Sequence, residues 1–558
     1  MKKLIAMMLA LVMTLSLCVA CGGGNNGGGA ANGGNGDNGG NSGDEESIVK
    51  LTVGLPTKAT VLSYEENALT YWLEEQCNVD LSFVPYSGGT DIGTQISTTV
   101  AAQQELPDIL FDIRLGEEVY RGYGRDGYFL DLTPYFEAKD GASKTFWTRL
   151  EENFTEAEID DILRKIKDPD TGAFYGVPTM DTTMIDVMDY QMWVNAEWLD
   201  KLQLEMPTDI DSLYKVLKAF KEKDPNGNGK ADEIPLYGGQ EAGLGADVVN
   251  WLVNMFLYFN DRKNFSVDEE GQLYAPFITE DYRDALKFIN KLIREGLMLD
   301  SVFNTQMNEL PMITTPASGT AIVGMFAGHL TIHADSDNPI MQQYKSLPLW
   351  SCAVFNDHRC DVSNFITSDC DNPAKAFEVM MTLWSEEGSR RARYGEYGVN
   401  WSDPDPGAMS DMGLPADYKL LLDPLMEQNT CLWSSASCTL CVWAEMETAQ
   451  LVSELSPGEA AKQKMHAESY ANFKAAADKY NPPADRICPT LGLTQEEKDD
   501  THVQRTACSD YYKKSRTDFC TGELNPNSDA DWNKYVNDLW DLGLQDWLDV
   551  AQVAYDRH

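Results

Sequence analysis

The sequence predicts an α/β fold in at least two domains, with a mainly parallel sheet flanked by helices. Between residues 48 and 112, strand-like and helix-like runs alternate. Further along, apolar residues recur at helical spacing between capping signals. A chain of 558 residues is also longer than one hydrophobic core can serve.

The first residues stand outside that body. MKKLIAMMLALVMTLSLCVAC sets Lys2 and Lys3 before an apolar run from Leu4, then small residues before Cys21. This is the pattern of a secretory signal. Cleavage after Ala20 leaves Cys21 as the new N-terminus, and the stretch is similar to a bacterial lipoprotein signal, in which that cysteine is diacylated. Cys18 stands where such signals usually carry Leu, although Leu17 lies beside it. Cys18 itself is a poor acylation candidate, because Leu17 is too large for the cleavage position. A plain secreted protein and an uncleaved membrane anchor are the alternatives. Residues 22–47 are Gly and Asn with few others, too polar and too flexible to form a core, and read as a tether. The expected location is the extracellular face of the cell membrane, held by lipid. No other apolar run is long enough to span a bilayer.

The body opens on IVKLTVGLP (48–56), an alternating, β-branched strand. NALTYWLEEQCNVDLSFVPY then reads as helix followed by strand, and TQISTTVAAQQELPDILFDI repeats the pattern with its strand after Pro107. A helix over 281–297 carries Gly296 where a C-terminal cap belongs, and NPAKAFEVMMTLWSEEG (372–388) has the same grammar. The chain closes on two helices broken near Gly543.

With 88 acidic against 44 basic residues, the formal charge is −44. Such a chain repels phosphate backbones, which excludes nucleic acid as a partner. Ten cysteines follow Cys21, nine of them after residue 350. Export permits disulfides, and spacing leaves their pairing, or their persistence as buried thiols, open. CTLC at 438–441 lacks the second pair of a zinc site and the helix of a redox motif.

One loop has ligand grammar. After a helix starting at Thr208, with Asp211 as its capping-box partner, the chain runs KEKDPNGNGKADEIPLYGG (221–239). Asp224, Asn226, Asn228, Lys230 and Asp232 take positions 1, 3, 5, 7 and 9 of a calcium loop, with Gly229 at the sixth. Lys230 offers its carbonyl. Pro235 stands at position twelve, so the usual bidentate Glu is missing and Glu233 is its substitute; no second helix follows. This is not a complete EF-hand. Hard oxygen donors without His or Cys point to Ca²⁺, and no nucleophile lies beside them, so the ion is expected to be structural. A metal-free Asn-Gly turn is the alternative.

FYGVPTM (174–180), the block 193–236, ALKFINKLIREGL and the terminal AYDR resemble family 1 of the extracellular solute-binding proteins. These are lipid-anchored receptors of ABC importers, and the oligosaccharide- and alginate-binding type is the most similar group. The segments are scattered over the whole body; 193–236 is the most specific. Asn195 departs from the family, which often has a basic residue there, and the cysteine-rich stretch 431–520 matches nothing in it. The resemblance implies a helix-rich, two-lobed periplasmic-binding-protein-like fold with hinge strands and a ligand cleft. Lobe one would take about 48–175 and 365–430, and lobe two about 176–364 and 431–558, with FYGVP as the first hinge. It also implies calcium in the 224–233 loop.

No HExxH, GxSxG or phosphate loop is present and no dinucleotide fingerprint is evident, and among so many acids a carboxylate pair arises by chance. The expectation is therefore a binding protein, not an enzyme. Aromatic faces suit sugar rings. Trp193, Trp251, Trp401 and Trp433 are candidate platforms, although each alone is more often core than ligand platform. Asp181, Asp112 and Arg114 follow strands where cleft-facing polar groups are expected. The leading reading is a lipid-anchored oligosaccharide receptor that delivers its ligand to an ABC permease. A surface glycan-degrading enzyme and a non-transport sugar-sensing receptor are the alternatives.

Overall fold

A computed structural model describes residues 48–557, except 88–91, 184–187, 189, 336–337, 356–359, 411–413, 423–427, 434–439, 444–445, 447 and 452–456. The signal, Cys21, the tether and Cys438 lie outside the described residues. Among those described, no helix is long and apolar enough to cross a membrane.

The alternation read from the first segment is present. Val49–Pro56 pairs in parallel with Val79–Tyr86 and with Ile109–Leu110. The helix between the first two, Ala68–Cys77, starts at Asn67, whose side chain accepts from the Leu69 N–H, and ends at Asn78 in the left-handed region. The complete six-stranded sheet is mixed. Asp361–Ile366 inserts antiparallel between Ile109–Leu110 and Val177–Asp181, and Cys441–Val442 closes the far edge. The reversal arises because this strand returns from the other half of the molecule. A second sheet orders Tyr344–Ser346, Met192–Asn195, Val323–Ala327 and Ile234–Tyr237, and only the last two run parallel.

Each sheet carries its own core. One gathers residues from Leu51 to Met180 with Cys360 to Met446. The other gathers Tyr190 to Val354 with Met465 to Ala551. Two cores joined by three chain crossings make two lobes. The second part of the first lobe extends beyond the expected residue 430. Trp433 sits edge-on to Phe83 and Phe111, and Trp443 to Trp384, which draws that segment into the first core. The FYGVP stretch also lies inside this lobe and not at its exit. Gly176 packs so tightly that a Cβ would stand 2.6 Å from Val362 and 2.7 Å from the Asn364 carbonyl. Its glycine answers a close strand approach.

Helix ends show what local grammar can and cannot fix. Ile210–Glu222 is capped by Asp209 with Ser212, one residue later than the expected Thr208 and Asp211. Glu280–Arg294 is followed by Gly296 at φ 65°, as expected. The single helix expected over 372–388 is two, Pro373–Trp384 and Glu386–Tyr394. Ser385 separates them, its hydroxyl accepting from the Gly388 N–H. Asp529–Asp541 and Leu544–Asp556 meet at Gly543, φ 96°. Of the cysteines, Cys77, Cys370, Cys508 and Cys520 are buried thiols. Burial pushes Cys370 and Cys520 up to about 12.

Candidate cleft and cation loop

The parallel strands Val49–Pro56 and Ile109–Leu110 end at one edge of the first sheet, the position where open α/β sheets take ligands. Asp112 lies just past that edge. Its backbone sits in the left-handed region at φ 53° and its side chain is 7% exposed. The Asp112 N–H donates to Asn364 Oδ1 at 3.0 Å, and Asn364 is itself buried on the returning strand. Lys58 Nζ stands 3.8 Å from Asp112 Oδ2, and Arg114 Nε 3.6 Å from Oδ1. Burial raises the Asp112 pKa, and the two cations oppose that rise. The Arg114 side chain is 63% exposed. Asp181, at the end of Val177–Asp181, accepts from the Thr183 N–H and hydroxyl.

The four tryptophans are core residues here, 0–4% exposed, and not open platforms. Trp193 donates its Nε1–H to the Gly328 carbonyl, Trp401 to that of Gly395, and Trp433 to the Thr70 hydroxyl. Trp251 packs edge-on against the half-buried Trp350. The physical reason is simple: an indole seals a core as well as it stacks on a sugar, and sequence cannot separate the two uses.

The lobes also touch away from the crossings. Asp161, on the helix Glu156–Ile166, accepts from the Thr490 N–H at 2.6 Å and lies 3.6 Å from Lys263 Nζ. Burial alone would raise its pKa, but Lys263, the Thr490 hydrogen bonds and Arg164 outweigh it and hold Asp161 below the ordinary carboxylate range. Asp170 accepts from Arg125 Nη1 at 2.5 Å and from the Gln495 N–H at 3.1 Å. Sequence reasoning missed these partners, as it missed Lys58 and Asn364; no local pattern links positions tens to hundreds of residues apart.

In the loop, Asp224, Gly227 and Gly229 take positive φ of 45°, 72° and 73°, turning the chain back on its own oxygens. Asp224 accepts from the N–H groups of Asn228 and Gly229, at 3.1 and 3.0 Å. Asp232 accepts from the side-chain amides of Asn226 and Asn228, which hold its pKa down. Glu233 is 3% exposed, and its Oε1 is buried without a hydrogen bond. Burial raises the Glu233 pKa, and the charges of Asp224 and Asp232 raise it further. The site thus gathers mutually repelling carboxylates with an orphaned oxygen, which is what a divalent cation would relieve. Among the described residues no three His, Cys, Asp or Glu form a ready metal cluster.

No family model matches the chain. It is 25% identical over 379 residues to the fructooligosaccharide ABC transporter substrate-binding protein FusA of Streptococcus pneumoniae serotype 4, covering 66% of this chain and 65% of that one. It is 41% identical over 113 residues to lipoprotein LipO of Bacillus subtilis strain 168, covering 20% and 22%. The matches thus span just under two thirds of the first relative and about a fifth of the second. An HMO-binding, ABC-transporter-associated solute-binding protein from Bifidobacterium longum infantis has a TM-score of 0.72 at 18% identity, covering 92% of this chain and 99% of that one. FusA as an EF-hand mutant in complex with fructo-nystose scores 0.63 at 20% identity, covering 91% and 99%. Alginate-binding protein AlgQ2 without calcium ion scores 0.58 at 19%, covering 92% and 98%. The chain thus has the fold of the two-lobed solute-binding proteins, and its sequence is similar over 379 residues to that of an ABC transporter substrate-binding protein.

Proposed function

We propose that this protein is the extracellular substrate-binding component of an ABC importer, taking an oligosaccharide between its lobes and presenting it to membrane permease subunits. The observation that carries this reading is two separate cores joined by three crossings, with Asp112 held in strained, desolvated form at the edge of the first sheet. The FusA match, to a fructooligosaccharide substrate-binding protein, supports the ligand class. Closure of the lobes on the ligand would be the signal to the permease; no bond is made or broken.

Thermal-shift screening against a glycan library, followed by small-angle scattering with and without the best ligand, tests the proposal. A ligand that binds only the native state raises the melting temperature, and closure shrinks the radius. If none of the glycans stabilises the protein, or the radius is unchanged at saturation, the reading fails.

Two further elements belong to it. Cys21 would carry the lipid anchor, so Cys21→Ala should release the protein from the membrane or leave its signal uncleaved; a processed, membrane-bound mutant would refute this. The carboxylates of Asp224, Asp232 and Glu233, the amide oxygens of Asn226 and Asn228, and the Lys230 carbonyl would hold Ca²⁺. The orphaned Glu233 Oε1 supports that assignment. The ion would supply charge neutralisation, bracing the loop.

A further inference from the structure

We propose that a polar pocket on the cleft edge of the second lobe seats one uncharged sugar ring of the ligand; this rests on the receptor reading above. The pocket encloses about 380 Å³, within the range of small-ligand sites. Tyr190, Gln240, Asp247, Asn250, Asp261 and Ser509 are among its lining residues.

Its position follows from the topology. The loop holding Gln240 to Asp247 leaves the end of the strand Ile234–Tyr237, which runs parallel to Val323–Ala327, so the pocket lies at the carboxyl edge of that pair. Tyr190 belongs to the crossing between the lobes, just before Met192–Asn195. On the other side, Arg262 and Asn264 line the pocket, and between them Lys263 reaches 3.6 Å from Asp161 of the first lobe. Two of its lining residues thus flank the lysine that takes part in the lobe–lobe contact.

Its walls are fixed in advance of a ligand. Arg516, buried behind it, donates from Nη1 to Asn250 Oδ1 at 2.5 Å and lies 3.9 Å from Asp247. Asn250 in turn donates to Asp261 Oδ2 at 2.5 Å, and Asp247 accepts from the Val249 and Asn250 N–H groups at 2.9 and 3.0 Å. Leu244 and Asn264, both lining residues, hold positive φ of 44° and 63°. Non-glycine residues in that region gather at ligand sites, where surrounding structure holds them in place.

The chemistry selects the ligand class. Gln240 Oε1 is buried without a hydrogen bond and asks for a donor. Asp247 and Asp261 add further acceptor oxygens; burial raises the Asp247 pKa, and the Arg516 charge opposes that rise. Vicinal hydroxyls of a sugar supply such donors. An anionic sugar would meet the carboxylates at the base. The cations facing the pocket, Arg262 and Lys513, are exposed at its rim, where water screens them.

The test uses the full body and isothermal titration with neutral oligosaccharides of fructose, mannose, xylose and galactose, and with oligouronates. Ser509→Trp fills the pocket, and Gln240→Leu removes its orphaned acceptor while keeping the size of the side chain. With melting temperatures unchanged, Ser509→Trp should weaken the neutral ligand on the order of 100-fold and Gln240→Leu about 10-fold. Wild-type affinity retained in both variants overturns the pocket and leaves the receptor reading standing. Oligouronates bound in preference to neutral sugars overturn the ligand class. Failure of the wild type to bind any glycan overturns the receptor reading itself, and this assignment with it.

Discussion

Glu233 offers a test in which two perturbations must cross. Without a metal its buried carboxylate faces Asp224 and Asp232, and burial together with that repulsion raises its pKa. A raised folded-state pKa means that stability is greatest at low pH and is lost as Glu233 ionises in the folded protein. A bound Ca²⁺ reverses the sign, because it favours the charged form. At a free ion concentration 100 times the dissociation constant, binding adds about 2.7 kcal/mol, or about 5 °C for a lobe of a few hundred residues. The gap between melting temperatures in millimolar Ca²⁺ and in chelator should therefore widen from about pH 4 to pH 7. Glu233→Gln removes both the repulsion and a ligand. In chelator the variant should melt at or above the wild type; in Ca²⁺ it should melt below. Differential scanning calorimetry at both pH values, with elemental analysis of the purified protein, reads all four conditions. Equal wild-type melting with and without chelator, or the same loss from Glu233→Gln in both, would refute the reasoning.

Asp112 at φ 53° should tolerate glycine better than alanine: Asp112→Ala is expected to be less stable than Asp112→Gly by about 1 kcal/mol in urea unfolding, and both should weaken ligand binding. Gly176→Ala, which brings a Cβ to 2.6 Å from Val362, should cost about 1–3 kcal/mol by overpacking, with an unchanged denaturant slope. Asp161→Asn leaves the Thr490 N–H with a weaker acceptor and should cost about 1–2 kcal/mol at pH 7. Its effect should fade as acid protonates the wild-type carboxylate, and ligand-free scattering should show a larger radius.

What was legible in the sequence was whatever is decided locally. Strand-helix alternation through residues 48–110, the Gly296 and Gly543 breaks and the 224–233 loop all depend on neighbours within a few positions. Asp209 replaced Thr208 as a cap because adjacent residues compete for one role, and only the entry angle of the chain chooses between them. The cleft was read less well. Asp112 was a fair candidate from its place after a strand, but its strain was not visible. The tryptophans were misplaced because composition names an indole without saying which side of it meets solvent. The second-lobe pocket depends on Arg516 lying beneath Asn250, a contact between residues 266 positions apart, and no pattern announces it.

The order of strands in the first sheet has a consequence for how the chain is made. That sheet needs Val49–Pro56 at its beginning and Cys441–Val442 at its far edge, with Asp361–Ile366 between. The second core in turn draws on the last helix, up to Ala551. A ribosome releasing this chain from its N-terminus has therefore delivered most of it before the first lobe can close its sheet, and nearly all before the second core is filled. Contacts of such sequence separation form slowly. Neither lobe can complete its core until that late chain has been delivered.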